Sequence, residues 1–247
     1  MGERYYEVDA VRGTALLLMV LYHTLFCLSL FRIITWFDPQ VISGAAGAAV
    51  FIFIAGLSLI LAGRRPSGVV RRGVQLLLLA LIITAVTAVV YPQGCVVFGI
   101  LHLIGCGTIL SLPFLSEKVK WYVPAAAGLG IIILSCFLQG ISGNLLLLPF
   151  GMPYPGFTSI DYEPLIPWFG VMLLGISAGK ILYPSGKRGA LASRIPPMPA
   201  ALSPLCFVGR HTLLIYMLHI PVIILLIFLI FPDAVLRFYF ETYLNIL

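Results

Sequence analysis

Three of the four histidines in this 247-residue chain, His23, His102 and His219, stand inside long apolar runs. An imidazole exchanges a proton near neutral pH, so it serves as general base, proton relay or metal ligand. An ionisable group within a membrane span costs at least a few kcal/mol, so its presence there asks for a chemical reason. The run "RGTALLLMVLYHTLFCL", residues 12–28, opens on Arg12 and holds His23 near its middle. The two are eleven residues apart, about three turns at 3.6 residues per turn, and so share one helix face. Asp9, Met19 and Cys27 lie close to that face. The chemistry implied is a charged mouth for an anionic ligand and a base at the far end of the stripe.

The elements that must carry these residues follow from composition. The chain is 61% hydrophobic and 10% charged, with a mean hydropathy of +1.09. Soluble domains run about 45–50% apolar and 25% charged, so this is an integral membrane protein. Spans need about 20 apolar residues, and seven segments qualify: about 12–34, 43–62, 72–91, 97–115, 120–139, 163–183 and 206–231. The expected fold is all-α, a polytopic helical bundle forming a single transmembrane domain over residues 1–247. No small-residue cleavage site follows the first span, which is therefore read as retained. "MGERYY" also lacks the hydroxyl residue of a myristoylation signal.

Lysine and arginine alternate between loops. They sit at the N-terminus, in "GRRPSGVVRR" (Arg64, Arg65, Arg71, Arg72), in "SEKVK", and around 187–194 with Lys180 and Arg210 at its edges. The loops between carry Arg32 alone or none, and the C-terminal tail carries Arg237. By the positive-inside rule the N-terminus is cytoplasmic and the C-terminus outside, in the cell membrane. The net charge of +6 thus reports orientation, and nucleic acid is not an expected partner. At 1.5 Å per residue, His23 lies roughly 17 Å and His219 about 20 Å from the inner ends of their spans, and His102 roughly 8–10 Å from an outer end. All three fall near one layer in the outer half of a core about 30 Å thick. Asp161 and Glu163, in "DYEPLIPWFG", sit just above it.

Plainer readings stand beside these. One histidine in a span serves as an interhelical hydrogen-bond partner, though three at one depth favour function. Arg12 alone reads as a positive-inside anchor, and Asp9 with Arg12 as an i,i+3 pair at the helix start. The four loop arginines read first as topology signals. Asp161 reads as a helix N-cap, and Trp36, Tyr162 and Trp168 as interface aromatics. The five scattered cysteines form no CxxC pair and read as buried thiols. Three histidines and a carboxylate would suit zinc or iron, but no i,i+4 histidine pair or HExxH occurs, and no metal is expected. A proton-coupled transporter would also use membrane histidines; the inverted repeat common in such folds is not seen.

"RYYEVDAVRGTALLLMVLYH" resembles the opening of the acyltransferase-3 type of membrane acyltransferases, whose first span carries an arginine, ten residues and a histidine. "VFIFIAGLSLILAGRR" resembles their second span. The chain is closer to the catalytic domain of heparan-alpha-glucosaminide N-acetyltransferase and its prokaryotic relatives, through "VDAVRGTALLLMV", "DYEPLIPWFGVMLLGISAGK" and "FVGRHTLLIYMLHIPVI". The resemblance implies transfer of an acetyl or other acyl group from cytosolic acyl-CoA to a hydroxyl or amine of a sugar or glycolipid at the outer face. Acetyl-CoA is then the donor substrate. Arg12, Arg64, Arg65, Arg71 and Arg72 would meet its phosphates, arginine being suited to them. His23 would be the base, aided by His219 or His102, and Asp161 and Glu163 would bind the sugar. Asp9 and Arg210 would orient their neighbours. Direct transfer and an acyl-histidine route both stay open, as does a homodimer. The heparan enzyme has asparagine at the place of His23 and a later histidine in the following loop. "RIITWFDPQVIS" has none, so that mechanism does not carry over directly.

Overall fold

A computed structural model describes residues 5–38, 45–63 and 65–244, and among these every regular element is helical. The α-helices in chain order are α1 Tyr6–Leu30, α2 Ala45–Ala62, α3 Pro66–Val90, α4 Ile100–Leu110, α5 Leu112–Leu115, α6 Tyr122–Leu138, α7 Leu165–Leu182, α8 Ser203–Arg210, α9 Thr212–Ile230 and α10 Pro232–Leu244. Five of them (α1, α2, α3, α7 and α9) are long and apolar enough to cross a membrane. α4 and α6, within two further expected spans, are shorter.

Several boundaries differ from expectation, each for a local reason. α1 begins at Tyr6 rather than near residue 12, because Glu7 and Asp9 in its first turn favour the positive end of the helix dipole. The 97–115 segment is broken at Ser111, just ahead of Pro113. The 206–231 segment is broken at His211, in the polar sequence Gly209–Arg210–His211–Thr212, where the Thr212 hydroxyl donates to the Gly209 carbonyl at 2.6 Å.

Two compact units make up the chain. The first is formed chiefly by Ile52–Pro197, the second by Tyr5–Phe51 with Met198–Leu247. In a bilayer, helices gain little by hiding apolar surface from lipid and associate through close backbone packing instead. Glycines permit this in both units. In the first, a Cβ on Gly56 would overlap the Met172 carbonyl, and one on Gly175 the Phe53 carbonyl, so α2 and α7 meet backbone to backbone. Gly128 and Gly170 join α6 to α7 in the same reciprocal way. Lys180 closes the end of α7 by donating to the Ser116 and Val119 carbonyls at 2.8 and 2.9 Å. In the second unit Gly13 faces Leu205, and Gly209 faces Asp9, so α8 runs back along the first turns of α1. Farther along, Cys27 of α1 and Phe31 just after it pack with Ile223 and Ile227 of α9 and Val235 of α10. The opposite side of α1 presents Leu17, Leu18 and Leu21 outward, as a lipid-facing surface requires.

Candidate functional site

The stripe read on α1 faces the α8–α9 arm. His23 and His219 meet there, ring centroids 5.0 Å apart and planes inclined at 62°. Each ring is fixed by its own helix. His23 Nδ1 lies 3.0 Å from the Met19 carbonyl and also beside the Met19 sulfur, and His219 Nδ1 meets the Tyr216 carbonyl. A carbonyl only accepts, so both Nδ1 atoms carry the proton and both Nε2 atoms present a lone pair. His219 is buried, and its Nε2 has no hydrogen-bond partner in the protein. An unpaired buried nitrogen is costly to keep, so this Nε2 is a candidate position for a water, a ligand atom or a transferred proton. The break at His211 puts His219 about 10 Å from the start of its helix. Its level is set by contact with His23.

Arg12 is engaged near the start of the same helix. One guanidinium nitrogen lies 3.2 Å from Asp9 and 3.4 Å from the Gly209 carbonyl, tying α1 to α8. Arg210 is exposed and donates back to the Cys206 carbonyl of α8 at 3.2 Å.

The other candidates belong to the first unit. His102, in the opening turn of α4, is buried and fully used. Its Nδ1 accepts from the Gly99 N–H at 3.3 Å, and its Nε2 reaches the Thr84 hydroxyl at 3.4 Å. That hydroxyl in turn donates to the Val96 carbonyl at 2.6 Å. Phe98 stacks on the ring at 5.6 Å. Asp161 comes in from 61 residues away to accept the Ile100 N–H at 3.2 Å, capping α4 rather than α7. Glycine at 99 leaves room for that carboxylate.

Glu163 lies just ahead of α7, its N–H bonded to the Phe98 carbonyl at 2.9 Å. Burial, then the charge of Asp161, push its carboxyl up to about 8, while a hydrogen bond from Trp168 pulls the other way. The sign follows from proton linkage. An unfolded glutamate releases its proton near 4.5, whereas the folded one holds it to about 8. Stability is therefore greatest below 4.5 and falls as pH rises through that window. Thermal unfolding of wild type and Glu163→Gln between pH 5 and 8.5 tests this. The wild-type midpoint should drop with pH more steeply than the variant's, and parallel curves would refute it.

Arg65 and Arg71, exposed, and Arg72, half-buried, cluster at the start of α3; Arg64 lies outside the described residues. Among the described residues no three His, Cys, Asp or Glu side chains gather in a way that could hold a metal.

Sequence reasoning missed the groups that hold these side chains: the Met19 and Tyr216 carbonyls and the Thr84 hydroxyl at the histidine rings, and the Trp168 indole at Glu163. The first two were readable in principle, because a helical histidine Nδ1 can reach the carbonyl three or four residues before it.

The family model described as "Heparan-alpha-glucosaminide N-acetyltransferase, catalytic" matches residues 4–221. Searches of curated proteins and of solved structures returned no match.

Proposed function

The chain belongs to the heparan-alpha-glucosaminide N-acetyltransferase catalytic family, and from that premise we propose that it carries an acetyl group from cytosolic acetyl-CoA to a hydroxyl or amine of a carbohydrate or glycolipid acceptor at the outer face of the cell membrane. The family match runs through segments of both units, which supports reading residues 1–247 as one acyltransferase domain. In this reading α4 with α5, and α6, supply the sixth and seventh crossings, with the N-terminus inside and the C-terminus outside.

The observation that carries the proposal is the pair of Nε2 lone pairs on His23 and His219, one of them buried without a partner. His219 Nε2 takes the proton of the acceptor as its oxygen or nitrogen bonds to the acetyl carbon. The carbon–sulfur bond breaks, and the imidazolium returns that proton to the CoA sulfur. The lone pair of His23 shares the proton in between, which favours direct transfer over an acyl-histidine. Asp161 and Glu163, at the turn before α7, form the acceptor side, with His102 as the post that fixes them. Arg65, Arg71 and Arg72, with Arg64, take the CoA phosphates. Arg12, held by Asp9, keeps α8 and its neighbour Arg210 in place.

CoA binding to the purified protein in detergent is the test. CoA and acetyl-CoA should raise the thermal midpoint of the wild type, and Arg65→Gln/Arg71→Gln should weaken that effect about tenfold or more, as expected on losing about 1.4 kcal/mol of charge-assisted bonding. No shift with either ligand at millimolar concentration would sink the acyl-CoA reading.

A further inference from the structure

The second unit holds a cavity well away from the histidine pair, at the far ends of α1 and α9. It measures about 430 Å³ and is closed on one side by α10, a helix beyond the family-matched residues 4–221. Its floor is aromatic. Phe31 is buried in the α1–α9–α10 core and meets Phe238 edge to face at 5.2 Å. Its rim is charged, with Arg32, Asp233, Arg237 and Glu241. The last three recur every four residues, so one face of α10 carries negative, positive and negative groups in turn. Arg32 sits in the left-handed backbone region, φ 57°, where the chain leaves α1, and its guanidinium lies 3.5 Å from Glu241.

Two guanidiniums and two carboxylates around one opening discriminate by charge pattern. A bare anion is repelled by half of the rim and a bare cation by the other half. A group that carries both charges a few ångströms apart satisfies all four. The depth also selects. The cavity lies at the ends of two helices long enough to span, where hydrocarbon gives way to water. Just beyond α1, Trp36 is 70% exposed, as an aromatic at that boundary would be. Leu225, Leu226 and Leu229 of α9 give an exposed apolar flank below.

We infer that this cavity binds the head of a membrane phospholipid bearing both a phosphate and a primary ammonium, with its chains along α9. The arginines take the phosphate and the carboxylates the ammonium. The site stands apart from acetyl transfer and does not depend on it.

Delipidated protein, given phosphatidylethanolamine, phosphatidylglycerol or phosphatidylcholine and read by native mass spectrometry and thermal unfolding, tests the assignment. Phosphatidylethanolamine should be retained and should stabilise several-fold better than the other two. Phosphatidylglycerol lacks the cation, and the trimethylated head of phosphatidylcholine cannot donate to a carboxylate. Arg32→Gln/Arg237→Gln should erase the preference. Equal retention of all three lipids by the wild type, or an unchanged preference in the double variant, overturns the inference. Soluble glycerophosphoethanolamine gives a check on the wild type alone. Displacement of the bound lipid supports recognition of the head; persistence of the lipid at millimolar competitor means the chains are read instead, and overturns it.

Discussion

His219→Gln will leave a folded protein that still binds CoA and has lost about 10²–10⁴-fold in acetyl transfer, the usual contribution of a general base. Glutamine keeps a similar volume and a donor for the Tyr216 carbonyl but offers no basic nitrogen at the position of Nε2. The loss should fall on kcat, since the proposed role is proton transfer and not donor binding. His23→Gln should cost less, because its lone pair only shares the proton. Acetyl-CoA turnover with a panel of amino sugars and neutral sugars, beside CoA-dependent thermal shifts, reads both quantities. Unchanged turnover in His219→Gln would remove the histidine pair from the chemistry and leave its unpaired nitrogen without a role.

The largest effect on stability is expected at Gly175. A leucine there would have to enter space held by the Phe53 carbonyl and the Leu57 nitrogen, both main-chain atoms. Backbone cannot rotate away as a side chain can, so α2 and α7 must separate. We expect a loss of about 3 kcal/mol or more, at the upper end for overpacking. Gly130→Ala is the matching control. Nothing lies within 4 Å of a Cβ at that exposed position of α6, so alanine should be neutral or stabilising by up to about 1 kcal/mol. Thermal unfolding in detergent separates the two outcomes, and a Gly175→Leu variant as stable as wild type would refute the close-packing account.

Period and hydropathy carry local information, and that part of the molecule was readable in advance. Arg12, His23 and Cys27 fall on one face by the 3.6-residue repeat alone, and that face does meet its partner helices. What could not be read was contact over long separations. Nothing in the sequence around Asp161 says that it caps a helix beginning at Ile100, or that Gly13 is small because Leu205 lies against it. The break at His211 was hidden for a different reason. Polar residues at the edge of a long apolar run weigh little in any average over a span, yet they reverse the chain. The arrangement of Asp233, Arg237 and Glu241 was legible as a face, but only the structure brings Arg32 to it.

The second unit draws on residues 5–51 and 198–247, from opposite ends of the chain. Its defining contact, Arg12 with the Gly209 carbonyl, joins positions 197 apart in the chain. Among the described residues the first unit, by contrast, is drawn from one stretch of the chain, Ile52–Pro197, in which α3 packs on the next helix α4 and α6 on the next helix α7. Nearby segments find each other sooner than distant ones. During synthesis α1 must therefore wait in the membrane, its histidine unmatched, while most of the protein is made behind it. The histidine pair forms only once residue 219 has been made, so a chain halted between residues 72 and 219 carries the arginines at the start of α3 without the second histidine. Under the proposed function, chain order alone therefore keeps an unfinished chain inactive.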